Sequence, residues 1–229
     1  MAEVLTREGV ADLLHRRRAV KTGGSYPFKY HEDHPDAPIP RVYVSIRGKP
    51  KGSLTDKDLE RIGHHMASIY RRKNPPPFDL VAPLPDAGTP LGEAFRDVWP
   101  TPVGLLRLKK VTEGDRRRII PSTDDPYRRG MRVVIADDLC STSATKVEGI
   151  LAVRELGLVI VGGIMAASYR LGGEEEILQR FGVKLDYSFT VSWLLGYYLT
   201  KKWVTKAHKA QAEQSMRRLS NYMADHRAS

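Results

Sequence analysis

The feature that most constrains the fold is a series of short apolar runs, each followed by a polar turn and a helix-forming segment. The runs FDLVAPLP, MRVVIADD and LVIVGGIMAAS are apolar over most of their length and do not alternate with polar residues, and VKLDYSF is predicted to form a last strand. Strands of this kind are buried on both faces, as in a parallel sheet covered by helices. We therefore predict an α/β fold with its ligand site at the carboxyl ends of the strands.

Local signals predict where several elements begin. Thr55 is predicted to cap a helix in LTDKDLERIGHHMASIYRRKN, with Asp58 as its reciprocal capping partner. Thr89 is predicted to cap the helix in DAGTPLGEAFRDV, with Pro90 at its first position. We expect VGLLRLKK to form one strand, and residues 116–129 to form a long mobile loop.

Bulk composition bounds the class of protein. A length of 229 residues, 41% hydrophobic and 28% charged, predicts one soluble domain of residues 1–229. The single cysteine, Cys140, excludes an internal disulfide and predicts a cytoplasmic location, and we find neither a secretory signal nor a membrane-spanning stretch. A net charge of +10 predicts affinity for anions: nucleic acid, acidic lipid or a phosphorylated small molecule.

The stretch RVVIADDLCSTSATKVEGI, residues 132–150, carries the most informative chemistry. Asp137 and Asp138 at a strand end can accept hydrogen bonds from the hydroxyls of a ribose, or hold Mg²⁺ through water. The small and hydroxylated residues that follow open a helix, whose unpaired N–H groups favour a phosphate. These residues are Ser141, Thr142, Ser143, Ala144 and Thr145. The alternative is that the aspartates solvate a strand end and a serine caps the helix.

VVIADDLCSTSAT resembles the phosphoribosyl-pyrophosphate (PRPP) motif of type I phosphoribosyltransferases, and the chain is most similar to the orotate phosphoribosyltransferases among them. The resemblance implies a type I phosphoribosyltransferase-like fold, a parallel sheet flanked by helices with an N-terminal hood. It divides the domain into a hood (1–50), an α/β core (51–190) and C-terminal helices (190–229). FDLVAPLPDAGTPLGEAF, LLRLKK and IMAASYRLGGEEEI are the further stretches that carry the likeness.

The resemblance also implies a set of site residues. The residues of the pyrophosphate loop would be Asp86, Ala87, Gly88 and Thr89, and the catalytic residues would be Arg107, Lys109, Lys110 and Asp138. Lys29 and Arg170 would bind a small anionic base. Asp137 and Asp138 would bind the ribose and, through water, Mg²⁺.

The chain departs from the family pattern at four places. Ala87 stands where a lysine is usual, Ser143 where a glycine is usual and Tyr169 where an acidic residue is usual. The segment of residues 112–118 also lacks the usual histidine.

The resemblance implies transfer of a phosphoribosyl group from PRPP to a base, most simply orotate, by a homodimer. Two alternatives remain. One is a PRPP-sensing regulator that binds nucleic acid through its basic surface. The other is a phosphoribosyltransferase for a different base, such as a purine. No recognisable nucleic-acid-binding signature supports the regulator.

Overall fold

The computed structural model describes residues 4–113, 116–122 and 127–227. Its helices are α1 (Arg7–Arg16), α2 (Tyr30–Asp33), α3 (Asp56–Arg71), α4 (Gly88–Asp97), α5 (Ala144–Glu155), α6 (Gly173–Phe181), α7 (Val191–Thr200) and α8 (Lys206–Arg227). Its strands are β1 (Val20–Thr22), β2 (Val42–Val44), β3 (Leu80–Pro83), β4 (Gly104–Leu105), β5 (Leu108–Glu113), β6 (Arg116–Pro121), β7 (Arg132–Cys140), β8 (Val159–Ser168) and β9 (Leu185–Thr190).

A five-stranded parallel sheet in the order β4-β3-β7-β8-β9 forms the centre of the fold. Consecutive residues of β7 face opposite cores: Val134 and Ala136 pack with α3 and α4, while Val133 and Ile135 pack with α5. This double burial is why the runs read as apolar throughout, and the predicted α/β class is confirmed.

The N-terminal part forms an antiparallel pair, β1 with β2, separate from the central sheet. The Val44 N–H of β2 donates to the hydroxyl of Tyr169 at the end of β8, over 2.8 Å. The Arg41 N–H donates to Ser215 Oγ of α8 over 2.9 Å. These bonds tie the predicted hood to the sheet and to the C-terminal helix. The division into hood, core and C-terminal helices stays a prediction.

The first and last parts of the chain also meet directly. The Tyr198 hydroxyl of α7 donates to the Ala11 carbonyl of α1 over 3.0 Å, across a sequence separation of 187 residues. Both residues are buried, so α7 covers the apolar face of α1.

Two predictions about the region after β4 were wrong. The segment VGLLRLKK is not one strand: β4 joins the central sheet and β5 leaves it to pair with β6. Residues 116–121, predicted as part of a mobile loop, form β6, because Ile119 is buried against the α5 side of the core with Leu108. Residues 123–126 of the predicted loop lie outside the described residues.

Of the two predicted helix caps, one is confirmed and one is wrong. The predicted capping box of α3 is confirmed: Thr55 Oγ1 accepts from the Asp58 N–H, and Asp58 Oδ2 accepts from the Thr55 N–H. The predicted cap at Thr89 is wrong, since α4 begins at Gly88 and the backbone of Ala87 is already helical. Among the described residues, no helix is long and apolar enough to cross a membrane.

Candidate functional site

The loops that follow β3 and β7 lie against each other at the carboxyl edge of the sheet. The Leu84 N–H donates to the Ala136 carbonyl over 2.8 Å. A Cβ at Gly88 would lie 2.8 Å from the Ala136 carbonyl oxygen and 2.9 Å from Asp137 Oδ1. Only glycine fits at this position, and the predicted pyrophosphate loop therefore touches the predicted ribose-binding loop.

The start of α5 is the predicted phosphate site. Ser143 occupies the N-cap position with φ −82° and ψ −21°, a conformation open to any residue, so serine is unstrained where the family usually has glycine. Its hydroxyl does not cap the helix and instead donates to Glu176 Oε2 of α6 over 2.6 Å. The first N–H groups of α5 have no intrahelical acceptors, as at any helix start, which leaves backbone donors for an anion.

Asp137 forms a buried ion pair at the end of β7. Its Oδ2 lies 2.8 Å from Lys146 Nζ, and its Oδ1 accepts the Asp138 N–H over 2.8 Å. Lys146 also donates to the Leu139 carbonyl. Both charged side chains are about 6% exposed. These contacts hold the Asp137 carboxylate in place, and its role in binding ribose or Mg²⁺ stays a prediction.

Lys146 was not identified from the sequence. Burial alone would lower the pKa of this ammonium, but the anionic groups around it, Asp137 first, raise it above the ordinary lysine value. The residue stays charged and neutralises one of the two carboxylates of β7. A lysine in the first turn of a helix usually reads as a solvated residue, so no pattern signalled the ion pair.

Asp138 is the second carboxylate and has a weaker cationic partner. Its Oδ1 accepts the Leu139 N–H over 2.8 Å, and its Oδ2 lies 3.4 Å from Arg47 Nε. Burial, and next the neighbouring charge of Asp137, raise the pKa of Asp138 to about 7. Hydrogen-bond donors or a cation placed beside a carboxyl with a raised pKa stabilise its ionised form.

Two basic residues from the loop between β2 and α3 reach this site. Arg47 contacts Asp138, and Lys51 Nζ lies 3.6 Å from Asp86 Oδ2 in the predicted pyrophosphate loop. The sequence analysis missed both residues. The available signal was the basic stretch RGKPKG after a predicted strand, but charge runs of this length are common on solvated surfaces.

The predicted catalytic cations Arg107, Lys109 and Lys110 have exposed side chains. Lys109 and Lys110 lie on β5, in a hairpin whose apolar residues Leu108 and Ile119 pack on the α5 side of the core. The hairpin is thereby anchored beside the helix that starts at the phosphate site. The catalytic role of the three residues stays a prediction.

The two predicted base-binding residues have different surroundings. Lys29 is exposed and follows Phe28, whose ring lies edge-on to Tyr169 at 5.0 Å between centroids. Arg170 has φ 56° and turns toward α6, where it pairs with Glu175 at 3.0 Å.

Arg170 also lines a groove of about 1060 Å³ beside β9. The hydrogen bond that the Tyr169 hydroxyl accepts from β2 explains why a tyrosine stands where the family usually has an acidic residue. Cys140 is buried, and burial raises the pKa of its thiol to about 12, so it is a packing residue.

Within the described part of the chain, no three His, Cys, Asp or Glu side chains lie close enough together to hold a metal ion. Asp138 remains the one carboxylate of β7 without a close lysine partner. A divalent cation would fit here only if most of its oxygen ligands came with the substrate.

In comparisons with known proteins, the chain is similar to orotate phosphoribosyltransferases. The chain is 28% identical over 128 residues to an orotate phosphoribosyltransferase of Listeria monocytogenes, covering 56% of this chain and 59% of that protein. It is 23% identical over 201 residues to an orotate phosphoribosyltransferase of Lactococcus lactis, covering 86% of this chain and 88% of that protein. The first alignment thus spans less than two thirds of the relative's length. No family model matches the sequence.

Among solved structures, the UMP synthase of Leishmania donovani superposes on 90% of this chain with a TM-score of 0.72 and 23% identity, over 41% of that protein. The predicted type I phosphoribosyltransferase-like fold is confirmed. The resemblance to orotate phosphoribosyltransferases that the motifs indicated is confirmed as well.

Proposed function

We propose that this protein transfers a phosphoribosyl group from PRPP to orotate, giving orotidine 5′-phosphate and pyrophosphate. The observation that carries the proposal is the contact between the two loops at the carboxyl edge. The start of α5, the Asp138 carboxylate and the loop after β3 lie side by side, as a sugar carrying a 5′-phosphate and a pyrophosphate requires. The relatives' names supply the base.

In this reaction a ring nitrogen of the base bonds to the anomeric carbon, and the bond from that carbon to a pyrophosphate oxygen breaks. Positive charge develops on the sugar and negative charge on the leaving group. The protein needs no nucleophile of its own. It must hold the two reactants in line and neutralise the departing charge.

Each part of the site has a role in this scheme. Asp138 accepts hydrogen bonds from the ribose hydroxyls. The N–H groups of residues 141–145 and the hydroxyls of Ser141, Thr142 and Thr145 bind the 5′-phosphate, and the N–H groups of residues 86–89 face the pyrophosphate. Arg107, Lys109 and Lys110 on the β5–β6 hairpin supply positive charge toward the leaving group and help to exclude water.

Mg²⁺ is part of the proposal as a companion of PRPP. It would act as a Lewis acid toward the leaving group. Asp137 and Asp138 are the residues that would hold it, through water, with Asp138 having the weaker cationic partner of the two.

Lys29 is the stronger of the two candidates for the base. It lies next to the Phe28–Tyr169 contact, where the N-terminal part meets the end of β8. Arg170 would have to exchange Glu175 for the orotate carboxylate, which a bidentate guanidinium–carboxylate contact favours.

We further propose a homodimer, testable by light scattering after gel filtration, and a cytoplasmic location.

The first experiment follows orotate by its ultraviolet absorbance with purified protein, PRPP and Mg²⁺. Loss of orotate that needs both PRPP and Mg²⁺ is the expected result. No loss of orotate, with PRPP still raising the melting temperature, would contradict orotate as the base and direct the search to other bases. No response to PRPP would refute the proposal as a whole.

The matched variants are Asp138→Asn in the site and Asp225→Asn on the exposed surface of α8. Asp138→Asn should abolish PRPP binding in calorimetry while the circular dichroism spectrum stays that of the wild type. Asp225→Asn should bind PRPP as the wild type does.

A further inference from the structure

A short basic loop, residues 47–52, reaches both of the loops that form the site. Its Arg47 Nε lies 3.4 Å from Asp138 Oδ2, in the strand that precedes the phosphate site. Its Lys51 Nζ lies 3.6 Å from Asp86 Oδ2, in the loop after β3. One segment thus brings a cation to a carboxylate at the end of β7 and to a carboxylate in the loop after β3.

The backbone of the basic loop is held while its charged side chains are open to solvent. The Gly52 N–H donates to the Gly48 carbonyl over 2.8 Å, and the N–H of the buried Leu54 donates to the Arg47 carbonyl over 3.2 Å. The Arg47 and Lys51 side chains are 44% and 67% exposed. A hydrogen-bonded backbone with solvent-exposed charged ends suits a change of partner.

The charge balance of the site favours such cations. Lys146 is already bonded to Asp137, and the loop of residues 86–89 contains one carboxylate and no cation. Lys51 therefore adds positive charge beside Asp86, on the pyrophosphate loop itself, in addition to the cations of the β5–β6 hairpin.

The present contacts of the two cations are also easily exchanged. Distances of 3.4 and 3.6 Å exceed those of close charge-assisted hydrogen bonds. The Lys51–Asp86 pair is exposed on both sides and contributes little to stability, whereas an anion with several charges offers both cations a stronger partner.

We propose that the basic loop is a pyrophosphate-binding element, in which Arg47 and Lys51 exchange their carboxylate partners for pyrophosphate oxygens. Lys51 supplies the loop of residues 86–89 with the positive charge that Ala87 does not provide. This inference rests on the proposed function, because it assumes that the loop after β3 binds the pyrophosphate group.

The test measures binding of inorganic pyrophosphate, at constant Mg²⁺, by titration calorimetry of the full chain. Lys51→Gln and Arg47→Gln should each weaken binding about tenfold, as expected for one lost charge-assisted hydrogen bond. Lys51→Arg keeps the charge and should bind within a factor of about three. Lys57→Gln, an exposed lysine in the first turn of α3, is the matched control and should bind as the wild type.

A second ligand separates pyrophosphate binding from a purely structural role. Ribose 5-phosphate carries the sugar and the 5′-phosphate but no pyrophosphate, so Lys51→Gln should leave its affinity unchanged. Equal weakening of both ligands would overturn the inference, as would pyrophosphate affinity within twofold of wild type in both glutamine variants. Thermal unfolding of every variant verifies that it is folded.

The outcomes also separate this inference from the proposed function. If the wild type binds PRPP and consumes orotate while both glutamine variants bind pyrophosphate normally, the basic loop alone is refuted. If the wild type binds neither PRPP nor pyrophosphate, the proposed function and the basic loop are both refuted.

Discussion

Lys146 Nζ lies 2.8 Å from Asp137 Oδ2, and the two side chains share a site from which solvent is almost excluded. The ion pair joins the first turn of α5 to the end of β7, so it fixes the phosphate site relative to the sheet. It also neutralises the Asp137 carboxylate, whereas Asp138 has the more distant guanidinium of Arg47 as its cationic partner. The two adjacent aspartates in the sequence therefore differ in the cation that each of them contacts.

We expect Lys146→Met to lower the free energy of unfolding by about 3–5 kcal/mol, because it leaves the Asp137 carboxylate buried without a cation. Urea denaturation monitored by circular dichroism measures the change. Lys206→Met, at an exposed position of α8, should change it by less than about 0.5 kcal/mol.

Adding Asp137→Asn to Lys146→Met should recover part of the lost stability, since the unpaired charge is then removed. A single Lys146→Met variant as stable as the wild type would contradict the structural role given to the pair.

Ser143→Gly should destabilise the protein by about 1–2 kcal/mol. Glycine has more backbone freedom in the unfolded chain, and the hydrogen bond to Glu176 is lost. Ser143→Ala loses only the hydroxyl, so its stability should lie between that of Ser143→Gly and that of the wild type. If the phosphate loop required a left-handed residue here, Ser143→Gly would raise the melting temperature.

Tyr169→Phe should lower the free energy of unfolding by about 1–3 kcal/mol, because the Val44 N–H is buried and loses its acceptor. The melting temperature in differential scanning calorimetry measures the loss. Amide hydrogen exchange should rise at β2 and not at β7. A phenylalanine variant with unchanged exchange at β2 would show that the phenol does not hold the N-terminal part.

Asp58 gives a pH-dependent prediction. Burial alone would raise the pKa of Asp58, but the Thr55 N–H and the Arg17 guanidinium outweigh burial and hold it below the ordinary value of 3.8. With a lower pKa in the folded state, the carboxylate stabilises the fold above pH 3.8, and this contribution is lost as the pH falls through the folded pKa.

Asp58→Asn should therefore cost about 1–2 kcal/mol at pH 7 and approach no cost near pH 2. Equilibrium unfolding at a series of pH values measures the difference between the variant and the wild type. Asp56→Asn, at an exposed position in the same turn, should show no comparable pH dependence. A cost for Asp58→Asn that is constant with pH would contradict the assigned pKa shift.

Much of the fold could be predicted because strand burial leaves a direct trace in the sequence. A residue such as Val133 must be apolar whichever face it presents, and three of the five strands of the sheet show this: β3, β7 and β8. The capping box at Thr55 was predictable because both of its bonds are local. The β5–β6 hairpin was missed because β6 begins with three arginines. Of the apolar residues of β6, Ile119 is buried, while Ile120 and Pro121 are only partly buried.

The site was predicted only where its chemistry is local. Asp138 and the start of α5 adjoin in sequence, so their proximity followed from the strand–helix order. The partners of the carboxylates did not follow, since Arg47 contacts Asp138 across 91 residues. Such a contact depends on side-chain direction at the end of a loop, which residue spacing does not encode.

The contact between Tyr198 and Ala11 has a consequence for synthesis on the ribosome. Translation at about 5–20 residues per second separates the two residues by roughly 10–40 s. Throughout that interval the apolar face of α1 lacks the helix that covers it in the finished molecule. A chain released before α7 is made therefore exposes apolar surface on α1 that chaperones and proteases can recognise.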